Sequence, residues 1–147
     1  LDRADSTEDD DAREKREELQ KEHEGLLGAL KGPLDEEIEE VRFTSRLKDS
    51  PAVLVAAEGG ISGHMERLLK RSGQDVPPQK RVLELNPEHD LVKSLTKLYG
   101  VDQNSPRIAE AAEVLHGQAL LAEGGSPKDP KRFGQLVTDL LLNSVKG

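Results

Sequence analysis

Glycines that follow an apolar stretch are the first residues whose spacing could serve chemistry. Gly59, Gly60 and Gly63 precede a helical pattern, and Glu84 lies in the next predicted strand. This order is typical of a dinucleotide-binding turn, where glycines admit a pyrophosphate and an acidic residue binds the ribose. Glu58 stands where the first glycine is expected, and too little chain remains for a doubly wound sheet. A small nucleotide-binding domain that uses the turn from Gly59 to Gly63 is therefore the alternative hypothesis.

Serine and histidine side chains give weaker signals. Ser62, followed by Gly63 and His64, lacks the closing glycine of a nucleophile elbow, so helix entry is the simpler explanation. Each histidine lies at least 25 residues from the next, without the close pair that a metal site favours. We predict no catalytic residue and no metal site, with surface or capping roles for the histidines: His23, His64, His89 and His116.

A short helix with an adaptable apolar face follows the glycines. Ile61, Met65, Leu68 and Leu69 recur at helical spacing. A thioether among branched aliphatic side chains can accommodate varied apolar partners. Two interpretations stay open: the face binds other proteins, or it packs on the sheet.

The last predicted helix, from Asp129-Pro130 onward, carries more apolar surface than one neighbour can cover, and the helix before it, at residues 107–122, has small residues on its apolar face that permit close approach of another helix. Each such side chain contributes ~1.5–3 kcal/mol when fully buried, so a second partner is favoured. The predicted subunit interface comprises Ile108, Ala112, Leu115, Ala119, Phe133, Leu136, Val137, Leu140 and Leu141. The alternative is that the last helix is central in its own domain.

Three strands are predicted around these helices. Residues 41–45 alternate as a half-exposed strand, residues 52–57 are continuously apolar and expected to be covered on both faces, and residues 81–85 form the central strand. Asn86 and Pro87 are expected to start a helix that Gly100 ends. An earlier helix is predicted to dock through Leu19 to Leu30 and to be frayed or disordered before it. The fold class is α+β.

Composition limits the partners. The chain has 147 residues, 34% of them hydrophobic, with a net charge of −8, 2% aromatic residues and no cysteine. The acidic balance and scarce aromatics oppose nucleic-acid and membrane binding, and the missing thiols fit a reducing compartment. No run is long enough to span a membrane. Because the chain opens without Met inside a charged run, we expect a piece of a longer protein.

A series of short motifs lies in one order along residues 41–142. They are Val41-Arg42-Phe43-Thr44-Ser45-Arg46-Leu47, Ser50-Pro51-Ala52, His64-Met65-Glu66-Arg67-Leu68-Leu69, Leu83-Glu84-Leu85-Asn86-Pro87-Glu88-His89 with Leu91-Val92, Gln118-Ala119-Leu120-Leu121-Ala122-Glu123-Gly124 and Asp129-Pro130-Lys131-Arg132-Phe133. Together they resemble the ninety-kilodalton heat-shock chaperones in their bacterial HtpG-type form. The match is to the C-terminal domain of that family.

This resemblance implies a division at residue 32. Residues 1–32 would be a charged segment and entry helix that leads from an absent middle domain, and residues 33–147 a C-terminal dimerisation domain. It implies an α+β domain with a small three-stranded sheet, flanking helices and a C-terminal helix pair that forms a four-helix bundle across a homodimer. Because such a dimer contact would hold two subunits together, closure of their distant N-terminal domains would become an intramolecular event.

The resemblance also implies a function. The helix with Ile61, Met65, Leu68 and Leu69 would contact unfolded or partly folded client proteins. The ATP site would lie outside this chain, so we expect no enzyme activity and no cofactor here, with ATP and Mg²⁺ belonging to the full-length chaperone. The acidic tail of cytosolic eukaryotic members, which ends in Met-Glu-Glu-Val-Asp, does not follow the last helix, which favours a cytoplasmic bacterial protein.

Overall fold

The computed structural model describes residues 10–45, 47–57, 60–76 and 79–146, and confirms an α+β fold. These residues form six α-helices, three strands and one short 3-10 helix, Gly32–Leu34, after the second α-helix. In chain order the α-helices and strands are α1 (Asp10–Glu22), α2 (Glu24–Lys31), β1 (Ile38–Phe43), β2 (Ala52–Ala56), α3 (Gly63–Arg71), β3 (Arg81–Leu85), α4 (Asp90–Val101), α5 (Pro106–Ala122) and α6 (Pro130–Lys146).

The sheet is mixed, with β3 in the centre and the order β1-β3-β2. β1 runs parallel to β3 and pairs Arg42 with Glu84. β2 runs antiparallel to β3 and pairs Leu54 with Leu83. The position of β3 explains its sequence, since Val82 to Leu85 are all buried.

Two strand predictions need correction. β2 was expected to be covered on both faces, yet it is an edge strand in which Leu54 is buried and its neighbours are half-buried. An apolar run of five residues is equally compatible with an edge that one layer of helices covers. β1 begins at Ile38, three residues before the predicted start, because Ile38 is buried in the core and pairs with Arg81.

The start and end of α4 also differ from the prediction. Asn86 donates from its amide to the carbonyl oxygens of Lys48 and Ser50, and its own Oδ1 accepts from the Glu88 amide at 3.0 Å. Asn86 therefore forms the turn before the helix, and His89 caps the helix through Nδ1, 3.1 Å from the Leu91 amide. Gly100 lies within α4, which continues to Val101.

The predicted entry helix consists of two helices. α1 and α2 are separated at His23, whose ring packs edge-on against Phe43 with centroids 6.0 Å apart. Gln20 accepts the Phe43 amide at 2.9 Å, which satisfies a backbone donor of β1. The fraying or disorder predicted at the start of the chain concerns residues 1–9 and lies outside the described residues.

The core lies between the sheet and α2, α4 and α5. The division at residue 32 stays a prediction, although α2 contributes three leucines to this core. Among the described residues, no helix is long and apolar enough to cross a membrane. The fully buried side chains are Leu26, Leu30, Ile38, Leu83, Leu85, Leu115 and Val92.

Candidate functional site

The site around α3 begins with a conventional helix start. Ser62 has an extended backbone and its Oγ accepts the Met65 amide at 3.1 Å, so the hydroxyl caps the first turn. Lys70 and Arg71 lie in the last turn, where cations suit the helix dipole. Helix entry is thus the observed role of Ser62, and the nucleophile hypothesis gains no support.

The inward face of α3 is polar. Its buried residues are Gly63 and Glu66. The Glu66 carboxylate pairs with Arg81 of β3, with Oε1 2.9 Å from Nη2, and Lys70 lies 3.5 Å from the other carboxylate oxygen. A buried carboxylate requires such partners, because moving the charge out of water without them costs several kcal/mol of free energy.

Glu123, just beyond α5, joins the same cluster. Its carboxylate accepts from Arg81 Nη1 and lies 3.3 Å from Arg67 Nη1, while its backbone carbonyl accepts from Arg67 Nη2. We call Glu66, Arg67, Arg81 and Glu123 the α3 ion cluster. Sequence reasoning missed this cluster, because no local spacing links residues that lie within α3, at the start of β3 and at the end of α5.

The outward face of α3 is apolar. Met65 is 44% exposed and Leu68 is 42% exposed, and Ile61 and Leu69 are half-buried. These are the four residues predicted to contact clients: Met65 and Leu68 are exposed, whereas Leu69 lies one turn from the buried Glu66 and Ile61 precedes the helix. Arg71 is a neighbour of Leu68 on the helix surface, so the apolar face has a basic border.

The turn before α3 differs in topology from a dinucleotide-binding unit. β2 and β3, which α3 connects, are antiparallel rather than parallel. Gly59 lies outside the described residues, and the Gly60 amide donates to the Ala57 carbonyl. Gly63 lies against the Glu123 carboxylate and the Arg81 guanidinium, so the first turn already faces a carboxylate of the same chain.

The second candidate surface is α6. Asp129 Oδ1 accepts the Arg132 amide at 3.1 Å and caps the helix, as predicted from Asp129-Pro130. The Phe133 ring packs on α5 at Gly117, where a Cβ would overlap the ring. Arg132 pairs with Glu113 across the two helices at 3.2 Å, which raises the pKa of the Arg132 guanidinium.

Most apolar residues of α6 stay accessible to solvent. Leu136 is its buried residue, while Phe133, Val137 and Leu140 are half-buried and Leu141 is 61% exposed. The α5 residues predicted for the same interface lie elsewhere: they pack inside the core of this chain. Those residues are Ile108, Ala112, Leu115 and Ala119.

The histidines have separate environments. His116 is buried on α5, and its Nε2 lies 3.7 Å from Glu37 Oε2. Burial lowers the pKa of His116, although the neighbouring Glu37 carboxylate opposes the shift. His89 caps α4, as the predicted surface or capping role allows. Within the described ranges, no group of acidic, histidine or cysteine residues could hold a metal ion.

The fold and its surfaces define an α+β protein with a helix whose apolar face points outward. A family model for Hsp90 protein matches residues 2–147. The chain belongs to the Hsp90 family.

Curated relatives agree with this assignment. The chain is 45% identical over 140 residues to the chaperone protein HtpG of Mycobacterium avium (strain 104), which covers 95% of this chain and 22% of that protein. It is 47% identical over 139 residues to HtpG of Streptomyces coelicolor, which covers 95% of this chain and 22% of that protein. For HtpG of Geobacter metallireducens the identity is 45% over 132 residues, with 90% and 20% covered. The chain thus spans about a fifth of the length of these relatives.

These matches correct the functional prediction from the sequence. That prediction made the chain a C-terminal dimerisation and client-contacting domain with no enzyme activity and no cofactor. The family match runs through residues 2–147 and gives no ground for placing the ATP chemistry of the family outside this chain. We therefore withdraw the C-terminal assignment, the exclusion of enzyme activity and the exclusion of a cofactor.

Proposed function

We propose that this chain is a protein-binding segment of a chaperone of the Hsp90 family, and that α3 binds unfolded or partly folded proteins. The supporting observation is the orientation of α3, which keeps Glu66 buried while Met65 and Leu68 face solvent. Flexible and branched apolar side chains on an exposed helix can pack against varied sequences. Family membership makes non-native proteins the appropriate partner class.

The charge on α3 favours a particular kind of client segment. α3 carries Arg71 beside Leu68, in a chain whose net charge is −8, while Arg67 and Lys70 are already paired with Glu123 and Glu66. Its basic border would attract apolar segments that are flanked by carboxylates, and this attraction would weaken as salt is added.

The test is binding of a permanently unfolded protein, such as fluorescently labelled, reduced and carboxymethylated lactalbumin, measured by fluorescence anisotropy. Leu68→Ser should weaken binding by about tenfold, because the bound client would bury the leucine side chain and the serine removes that apolar contact. The matched control is Leu91→Ser on α4, since Leu91 is 41% exposed and lies outside the proposed surface. Equal affinities of wild type and Leu68→Ser would contradict the proposal.

We further propose that α6 associates with a second copy of the chain. The support is the apolar surface that α5 leaves uncovered, above all Leu141 and Val145, which is 83% exposed. Sedimentation equilibrium should give a dimer that Leu141→Asp converts to monomers, while Leu91→Asp leaves it intact. A wild-type chain that is monomeric at all concentrations would contradict this interface. The bacterial sources of the relatives support a cytoplasmic location in a bacterium.

Nucleotide binding at the turn from Gly59 to Gly63 is the second candidate function. Membership of the Hsp90 family supports it, although Arg67 and Arg81 beside the helix start already pair with the Glu123 carboxylate. Calorimetric titration with ATP and Mg²⁺ tests it. Saturable heat that Arg67→Met abolishes would support a nucleotide site, and titration without saturable heat would contradict it.

A further inference from the structure

The buried side chain by which the helix α3 meets the rest of the fold is charged, and the helix forms ion pairs with Arg81 and Glu123. The residues that α3 buries are Gly63 and Glu66, and the apolar side chains Met65 and Leu68 point away. We propose that Arg81 and Glu123 are positioning residues that, together with Glu66 and Arg67, fix α3 with its apolar face outward. The consequence for client binding rests on the proposed function, whereas the attachment itself does not.

Arg81 is the centre of the attachment. It lies at the start of β3 and bridges two carboxylates: Nη2 is 2.9 Å from Glu66 Oε1, and Nη1 pairs with Glu123 Oε2. Its Nε is buried without a hydrogen-bond partner. The planar guanidinium presents both terminal nitrogens at once, which a lysine ammonium on a flexible stem would not reproduce.

Arg67 forms the second attachment, from α3 itself. Nη1 lies 3.3 Å from Glu123 Oε2, and Nη2 donates to the Glu123 backbone carbonyl. This carbonyl follows the end of α5, where helix carbonyls lack intrahelical partners and a cation is favourable. One arginine therefore binds both the side chain and the backbone of the same residue, which ties α3 to the end of α5.

Space for the cluster depends on Gly63. A Cβ at this position would overlap the Glu123 carboxylate and the Arg81 guanidinium. Because each residue turns a helix by about 100°, a rotation of α3 by one position would take Glu66 away from Arg81. The cluster thus selects one orientation of the helix, and that orientation places Met65 and Leu68 outside.

Hydrogen exchange of the peptide over residues 61–73 tests the attachment without any client. Arg81→Met should speed exchange of α3 by about a hundredfold, because Glu66 and Glu123 lose their shared cation, and should leave α4 protected. Arg81→Met combined with Glu66→Gln should recover part of the protection, since one unpaired carboxylate is removed. The matched control is Arg132→Met, which breaks an exposed Arg–Glu pair elsewhere.

Several outcomes separate this inference from the proposed function. Unchanged exchange of α3 in Arg81→Met would overturn the positioning role, and so would a uniform rise throughout the chain. Arg67→Met, which removes the more exposed arginine, should give a smaller rise that is again confined to α3. If Arg81→Met speeds α3 exchange while Leu68→Ser leaves client affinity unchanged, the positioning role stands and the client proposal fails.

Discussion

The helices α3 and α5 have apolar residues at similar spacing but present them to opposite surroundings. α5 turns Ile108 and Leu115 into the core, where both are buried. α3 turns Glu66 inward and leaves Leu68 in solvent. An apolar stripe therefore identifies a helix face, while the partners of the opposite face decide whether that stripe is buried or available.

The two modes of attachment differ in energy. Large apolar side chains that α5 buries, such as Ile108 and Leu115, each contribute about 1.5–3 kcal/mol relative to exposure. The ion pairs of α3 gain less, because removing charges from water offsets much of their attraction. We therefore expect α5 to unfold only with the whole domain, and α3 to open locally at lower free energy.

The largest difference between the two helices should appear on truncating a leucine in each. Leu115→Ala should lower the free energy of unfolding by ~2–5 kcal/mol, because it leaves a cavity in the core. Leu68→Ala should cost far less, about 0.5 kcal/mol, because Leu68 is 42% exposed and its loss leaves no enclosed cavity. Urea unfolding followed by circular dichroism measures both. Similar losses of unfolding free energy in the two variants would contradict the difference in burial between α3 and α5.

Two glycine substitutions test whether α6 packs on α5 through Phe133. Gly117→Ala should cost about 1–3 kcal/mol, because the new methyl group displaces the Phe133 ring that packs on α5. Gly28→Ala in α2 is the matched control: its Cβ would meet no atom within 4 Å, so the helix should gain about 0.5–1 kcal/mol. Thermal unfolding of both variants decides the point. Stabilisation by Gly117→Ala would mean that Phe133 does not occupy this position.

The smallest effect concerns His116, a polar residue on the buried side of α5. Burial lowers the pKa of His116 below the ordinary 6.5. The nearby carboxylates of Glu37 and Glu123 oppose this shift, and the Arg81 guanidinium adds to it. The unfolded chain thus binds the proton more readily, and stability should fall as the pH drops below about 6.5. Urea midpoints from pH 7.5 to 5.5 should fall less steeply for His116→Gln. Identical slopes for the two proteins would contradict this assignment.

Local patterns predicted much of the fold. The bounds of β3 agree with the prediction at both ends, since apolar residues flanked by Pro and Asn suit a central strand. The start of α6 also follows from its sequence, because Asp129 and Pro130 supply a cap and a first helical residue. Both features depend on neighbours within a few positions of the chain.

Other features depend on distant partners. Asn86 was expected to cap a helix, but it binds carbonyls 36 and 38 residues away and the helix starts later. The orientation of α3 depends on Arg81, 15 residues from Glu66, and on Glu123, 56 residues from Arg67. Charged residues at such separations have no periodicity to reveal their pairing. The sequence therefore predicted the apolar face of α3 but left its direction open.

Met65 gives the most direct test of that direction, because it is the single methionine of the chain and lies on the apolar face of α3. Its oxidation by hydrogen peroxide can be followed by mass spectrometry in the folded chain, in urea, and with a client bound. With Met65 exposed, we expect the folded rate to be within about fivefold of the unfolded rate, and bound client to slow it. Protection of about a hundredfold in the folded chain without client would mean that α3 packs its apolar face inward, and would contradict the proposed surface.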